Sequence, residues 1–126
     1  MAKIIEPVIR TSPRPSDLNK SGNIFGGWIL SQMDTAGGIT AARRAGGRVA
    51  TVAIEAMSFH KPVAVGDLIS CYTEIVREGR TSISVKINVL ANRMGEAEEI
   101  TVTEGTFIFV AIDEKNRPRP LPDTKA

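Results

Sequence analysis

Between Ile24 and Arg44 the chain reads Ile-Phe-Gly-Gly-Trp-Ile-Leu-Ser-Gln-Met-Asp-Thr-Ala-Gly-Gly-Ile-Thr-Ala-Ala-Arg-Arg. Ile29, Leu30, Met33, Gly37 and Thr40-Ala41 recur at spacings of three and four, which on a helix gives one apolar face. Asn23 or Ser21 is placed to cap its start, and Gly46-Gly47 to stop it. Glycine is the unusual element. Gly26-Gly27 opens the segment and Gly37-Gly38 lies inside it, where each glycine costs about 1 kcal/mol relative to alanine. Glycines kept at that cost suggest that a backbone or a ligand comes close.

Beyond the helix the apolar period changes from about 3.6 to 2. Residues 48–59, 67–77, 81–93 and 100–112 read as strands, most clearly where Ile83, Val85, Ile87 and Val89 face one way and Ser84, Lys86 and Asn88 the other. Glu78-Gly79-Arg80 and Met94-Gly95-Glu96 supply turn chemistry between the last three strands, which predicts an antiparallel meander. Ahead of the helix, Ile4, Ile5, Val8 and Ile9 form an apolar stretch that Pro7 limits to an edge strand or an extended arm, and Thr11 to Asp17 is loop throughout. The expectation is one α+β domain over residues 1–126, with an arm at 1–15 and a tail at 116–126. Its antiparallel sheet wraps around one long central helix. Long strands in so small a protein leave an edge to protect, so at least a dimer is expected.

The chain has 126 residues, 42% hydrophobic and 24% charged, which suits a globular domain and excludes a disordered one. Its net charge of +2 is scattered rather than striped, so no nucleic-acid partner is expected. No apolar run approaches a membrane span, and Met1 to Arg10 is too short and too charged for a signal peptide. A cytoplasmic location is expected. Cys71 is the only cysteine, which rules out an intrachain disulfide or a cysteine metal site and reads as a small core residue. No metal site and no cofactor are expected.

His60 is the only histidine, it follows a strand, and no nucleophile elbow accompanies it. No phosphate loop or dinucleotide fingerprint is present. A glycine-rich first helical turn, however, exposes unpaired N–H groups at the positive end of the helix. Such donors suit an anion, or a carbonyl oxygen that becomes one during acyl transfer. Asp34 falls on the same helix face two turns on, poorly placed for solvation beside Met33 and Gly37-Gly38. Plainer readings stay open on spacing alone: Asp34 as a solvated or ion-paired surface residue, and Gly26-Gly27 as a packing device.

The run from Asn23 to Asp34 closely resembles the helix motif of the YciA-type acyl-CoA thioesterases, hotdog-fold enzymes related to the brain-type acyl-CoA hydrolases. The similarity continues through 48–53, Phe59-His60-Lys61-Pro62-Val63, Val65-Gly66-Asp67, Gly79-Arg80-Thr81-Ser82 and Phe107 to Ala111. It covers about residues 12–120. The resemblance implies a hotdog fold and hydrolysis of acyl-CoA. Asp34 would be the essential acid, a general base toward water or a nucleophile, and Asn23 would complete the site. The Gly27 amide, helped by Gly26, would polarise the thioester carbonyl, while Thr51 and Ser58, in or beside the strand facing the helix, would add polar contacts. Arg80, Thr81 and Ser82 resemble a turn that touches the nucleotide end of coenzyme A, with Arg80 suited to phosphate. His60 departs from the motif, and a structural or ligand-edge role is expected for it.

Gly27 and Asp34 stand seven residues apart, about 10 Å along a helix, too far for one carbonyl carbon to meet both. Two antiparallel helices across a dimer interface would bring Gly27 of one chain to Asp34 of the other. The resemblance further implies a hexamer, a trimer of dimers. Two alternatives use the same pocket: a non-catalytic acyl-CoA sensor, and a dehydratase or hydratase acting on acyl thioesters. The latter normally pairs a histidine with an acid.

Overall fold

In the computed structural model residues 6–24 and 26–123 are described. The elements run β1 (Ile9–Thr11), α1 (Gly26–Ala45), β2 (Val49–Phe59), β3 (Leu68–Glu78), β4 (Ser82–Asn92) and β5 (Ile100–Ala111), with a short 3-10 turn at Pro15–Asp17. All strands join one antiparallel sheet in the order β1-β3-β4-β5-β2. The expected β3-β4-β5 meander is present, and β2 returns from the helix to the far side of β5. Ile9 supplies the expected edge strand on β3, whereas Ile4 and Ile5 lie outside the described residues.

The sheet presses its apolar face on α1. Ile83, Val85, Ile87 and Val89 of β4 and Phe107 and Phe109 of β5 are buried against Ile29, Met33, Ala36 and Ala41 of the helix. A Cβ on Gly37 would stand 2.9 Å from Ile87 Cδ1 and from the Phe109 ring, closer than carbon atoms pack. The backbone of α1 reaches the sheet there because Gly37 has no side chain. Gly38 has only ordinary clearance, 3.8 Å, from the same ring. Cys71 is buried in this core, which pushes its thiol up to about 11 because the thiolate would be desolvated.

The helix ends as its sequence indicates. Gly46 takes a φ of 70° and the N–H groups of Gly46 and Gly47 both donate to the Ala42 carbonyl. Its start corrects the expectation. With Gly26 as first helical residue, Asn23 and Ser21 stand three and five residues ahead of it, so neither caps the helix. Both belong instead to a loop tied by Asn19, whose Oδ1 accepts from the N–H groups of Ser21 and Asn23 at 2.9 and 3.1 Å. The tail runs along the surface and is pinned: the Arg119 N–H donates to the Ala111 carbonyl and the Leu121 N–H to the Arg80 carbonyl.

Candidate active site

The N-terminus of α1 is positioned by strain-free local chemistry. Gly22 turns the chain at a φ of 85°, the Asn19 N–H donates to the Asn23 carbonyl at 2.7 Å, and the Ile24 N–H donates to the Val63 carbonyl at 3.3 Å. This delivers an exposed Asn23 directly ahead of Gly26 and Gly27, where helical N–H groups have no intrahelical acceptor. The Phe59 ring packs over Gly26, 3.6 Å from where a Cβ would stand. Beside them opens a cleft of about 290 Å³ whose lining includes Ile24, Ile29, Phe59, Pro62 and Val63.

Two helical turns further on, Asp34 is exposed on the side of α1 that meets β2. The Thr51 hydroxyl donates to its Oδ1 at 2.5 Å. That short bond to a carboxylate engages one of the two oxygens of an exposed side chain. Asp34 and Thr51 thus meet across 17 positions of sequence. Asn23, Gly26 and Gly27 gather at the helix start, about 10 Å away by the rise of the helix. Within one chain the two groups do not converge.

Other expected residues lie elsewhere. Ser58 pairs with Glu104, whereas its neighbour Phe59 pairs with Thr103 and Thr51 with Phe109. Side chains of paired residues share a face, and Phe109 is buried under the helix, so Thr51 faces α1 and Ser58 faces away from it. Ser58 is therefore not brought to Asp34. Two irregularities in β2, one marked by Ala56 at a φ of 56°, set which residues face in, and no alternation rule reveals them. Arg80, Thr81 and Ser82 occupy the β3–β4 turn at the opposite end of α1. Arg80 is exposed there on a cleft of about 410 Å³ shared with Arg44 and the tail residues Leu121 and Asp123. Arg44 is already held by Glu78 through two bonds of 2.7 and 2.9 Å.

His60 stands at the rim of the Phe59 cleft and its Nε2 lies 2.9 Å from Glu104, not near Asp34. Residues 60–67, which wall the cleft, are fastened by a pair that sequence reasoning missed. The buried Asp67 accepts from Arg93 Nε at 3.2 Å and from the Ala64 N–H at 2.9 Å, while Arg93 Nη2 donates to the Pro62 carbonyl at 2.8 Å. The Gly66-Asp67 turn, with Gly66 at a φ of 98°, was the available signal. Among the described residues no group of three His, Cys, Asp or Glu side chains is placed to hold a metal, and no helix is long and apolar enough to cross a membrane.

A five-stranded antiparallel sheet curled around a single long helix is the hotdog fold. A family model described as the thioesterase superfamily matches residues 21–98. The chain is 48% identical over 120 residues to the acyl-CoA thioester hydrolase YciA of Salmonella typhimurium, an alignment spanning 93% of this chain and 90% of the relative. The hexameric thioesterase y2039 of Yersinia pestis superposes with a TM-score of 0.90 at 42% identity, covering 98% of this chain and all of that one. The hexameric hotdog thioesterase Cj0915 of Campylobacter jejuni gives 0.88 at 40% identity, covering 94% and 91%. The chain belongs to the thioesterase superfamily, in the group of the YciA-type acyl-CoA thioester hydrolases.

Proposed function

We propose that this protein hydrolyses acyl-CoA to a free carboxylic acid and coenzyme A, using a site built from two subunits. The observation that carries this reading is the Asp34 carboxylate, presented to solvent on α1 and anchored at one oxygen by Thr51. Its free oxygen is suited to take a proton from water as that water attacks the thioester carbonyl carbon. The N–H groups of Gly27 and Gly26 stabilise the oxyanion that forms, with Asn23 beside them to orient the water or the carbonyl. Collapse of the tetrahedral intermediate breaks the C–S bond and expels coenzyme A as a thiolate, which takes up a proton. A thiolate leaves readily, so this chemistry calls for no cofactor.

The second subunit follows from β2. This strand closes the sheet, is exposed along Thr51 to Ala56, and carries Val52 and Ile54 at 57% and 47% exposure. Unpaired strand edges with apolar side chains seek a partner. Two copies joined along β2 set their helices antiparallel, so that Asp34 of one chain meets Gly27 of the other and two sites form per dimer. The two solved relatives named above are hexameric, and we extend that assembly, as a trimer of dimers, to this chain. Arg80, with Thr81 and Ser82, is assigned to the nucleotide end of coenzyme A, where a guanidinium matches phosphate oxygens. A cytoplasmic location is part of this proposal, because the substrate is built on coenzyme A.

The test is thiol release from acyl-CoAs of graded chain length by wild type and Asp34→Ala. Release by wild type that falls about 10²–10⁴-fold in the variant, with coenzyme A binding kept, supports the assignment. A folded, oligomeric wild type that binds acyl-CoA and releases no thiol contradicts it and indicates a sensor.

A further inference from the structure

The cleft beside Gly26 adjoins the carbonyl position assigned above and is apolar where it is deepest. Ile24, Ile29 and Val63 form its floor, each 5% exposed or less. One wall is rigid, because the Arg93–Asp67 pair clamps Pro62 and the Ile24 N–H is tied to Val63. The other wall is Phe59, a large apolar side chain left 55% exposed although it ends a strand next to the core. Its ring reaches across to the Gly26 backbone. The floor and the clamped wall are held by hydrogen bonds and an ion pair, whereas the Phe59 ring is 55% exposed in the single chain and rests on Gly26.

We propose that this cleft receives the acyl chain of the substrate and that Phe59 sets how long a chain is accepted. This rests on the thioesterase reading. A cleft of about 290 Å³ lies at the lower end of small-molecule sites, roughly 300–1,000 Å³. It holds a short acyl chain fully and forces a longer one out past the ring. The pantetheine arm fits this place less well, because its two amides need polar partners and the floor offers only hydrocarbon. His60 and Lys61 sit at the rim rather than in the depth.

The experiment compares kcat/KM on acetyl-, butyryl-, hexanoyl-, octanoyl-, decanoyl- and palmitoyl-CoA for wild type, Phe59→Ala and Phe59→Trp, with oligomeric state checked by sedimentation. Phe59→Ala is expected to raise the octanoyl-to-butyryl ratio about 10-fold, the discrimination a hydrophobic pocket achieves for small changes in chain size. Phe59→Trp narrows the cleft and lowers that ratio, which separates a size gate from a folding defect. Inhibition by free coenzyme A stays unchanged in both. Variants that alter every substrate by the same factor, or that weaken coenzyme A inhibition, place pantetheine in the cleft and overturn the proposal. A wild type inactive on all six thioesters overturns it together with the thioesterase reading. An active wild type whose chain profile ignores Phe59 overturns this proposal alone.

Discussion

The strands β4 and β2 have the same length and opposite circumstances. Every second side chain of β4 from Ile83 to Val89 is fully buried, and both its edges are paired, to β3 and to β5. β2 is paired only to β5, breaks register twice, and is exposed from Thr51 to Ala56. β4 is finished within one chain and serves the core. β2 is unfinished, and it is the strand that holds Thr51 against Asp34. The carboxylate proposed as the base and the unsatisfied edge share one side of the molecule, which is how a site completed by a second copy would be arranged.

Substitutions at matched places on the two strands pull that contrast apart. Val52→Lys puts a charge on an exposed position of β2, so each chain still folds while the assembly falls apart. Activity is expected to drop about 10²–10³-fold, the loss of an oxyanion donor, as read by thiol release and sedimentation together. Ile87→Ala in β4 does the reverse: it destabilises the fold by about 2–5 kcal/mol in denaturant titration, through the cavity it leaves under α1. The surviving folded protein assembles normally.

Cys71, on β3 in the same core, sharpens the point by pH. The folded thiol is pushed up to about 11 by burial, above the 9.0 of an exposed one. A raised value means the stabilisation is whole below pH 9 and is lost as pH rises through 11, because only the unfolded chain gains from ionising. About 2–3 kcal/mol should disappear over that window in urea titrations, and Cys71→Ala should remove the pH dependence while lowering stability near neutrality. The smallest effect separates two neighbouring glycines. Gly37→Ala drives a methyl group into Ile87 and Phe109 and costs about 1–3 kcal/mol. Gly38→Ala finds ordinary clearance and gains up to about 1 kcal/mol of helix propensity, read as a higher Tm.

The sequence discloses what is periodic. The α1 pattern, the alternation of β4, the stop at Gly46 and the close approach at Gly37 are local or repeat regularly, so one chain's residues suffice to find them. Asp34 is legible from the motif that begins at Asn23, but the expectation that it is poorly solvated fails: the helix presents it to solvent, beside rather than within the apolar face. Nonlocal features escape. The two bulges of β2 reverse the facing of Ala53, Ile54 and Glu55 relative to simple alternation from Thr51, and cancel by Ser58, which faces away from the helix. The contacts of Phe59 with Gly26, His60 with Glu104 and Arg93 with Pro62 each join positions more than 30 residues apart. The cap failed for a different reason: Asn23 has the right chemistry, but the helix begins three residues later, at Gly26.

Subunit complementation tests the composite site most directly. Gly27→Pro removes the amide hydrogen in the first helical turn, where proline is tolerated. Asp34→Ala removes the carboxylate. Each variant alone should be inactive in thiol release. Refolded or co-expressed together, they form mixed dimers in which one of two sites regains both groups, and about a quarter of wild-type activity returns under random pairing. A mixture as inactive as its components, with mixed dimers shown to be present, would mean that Asp34 and Gly27 do not act across the subunit boundary.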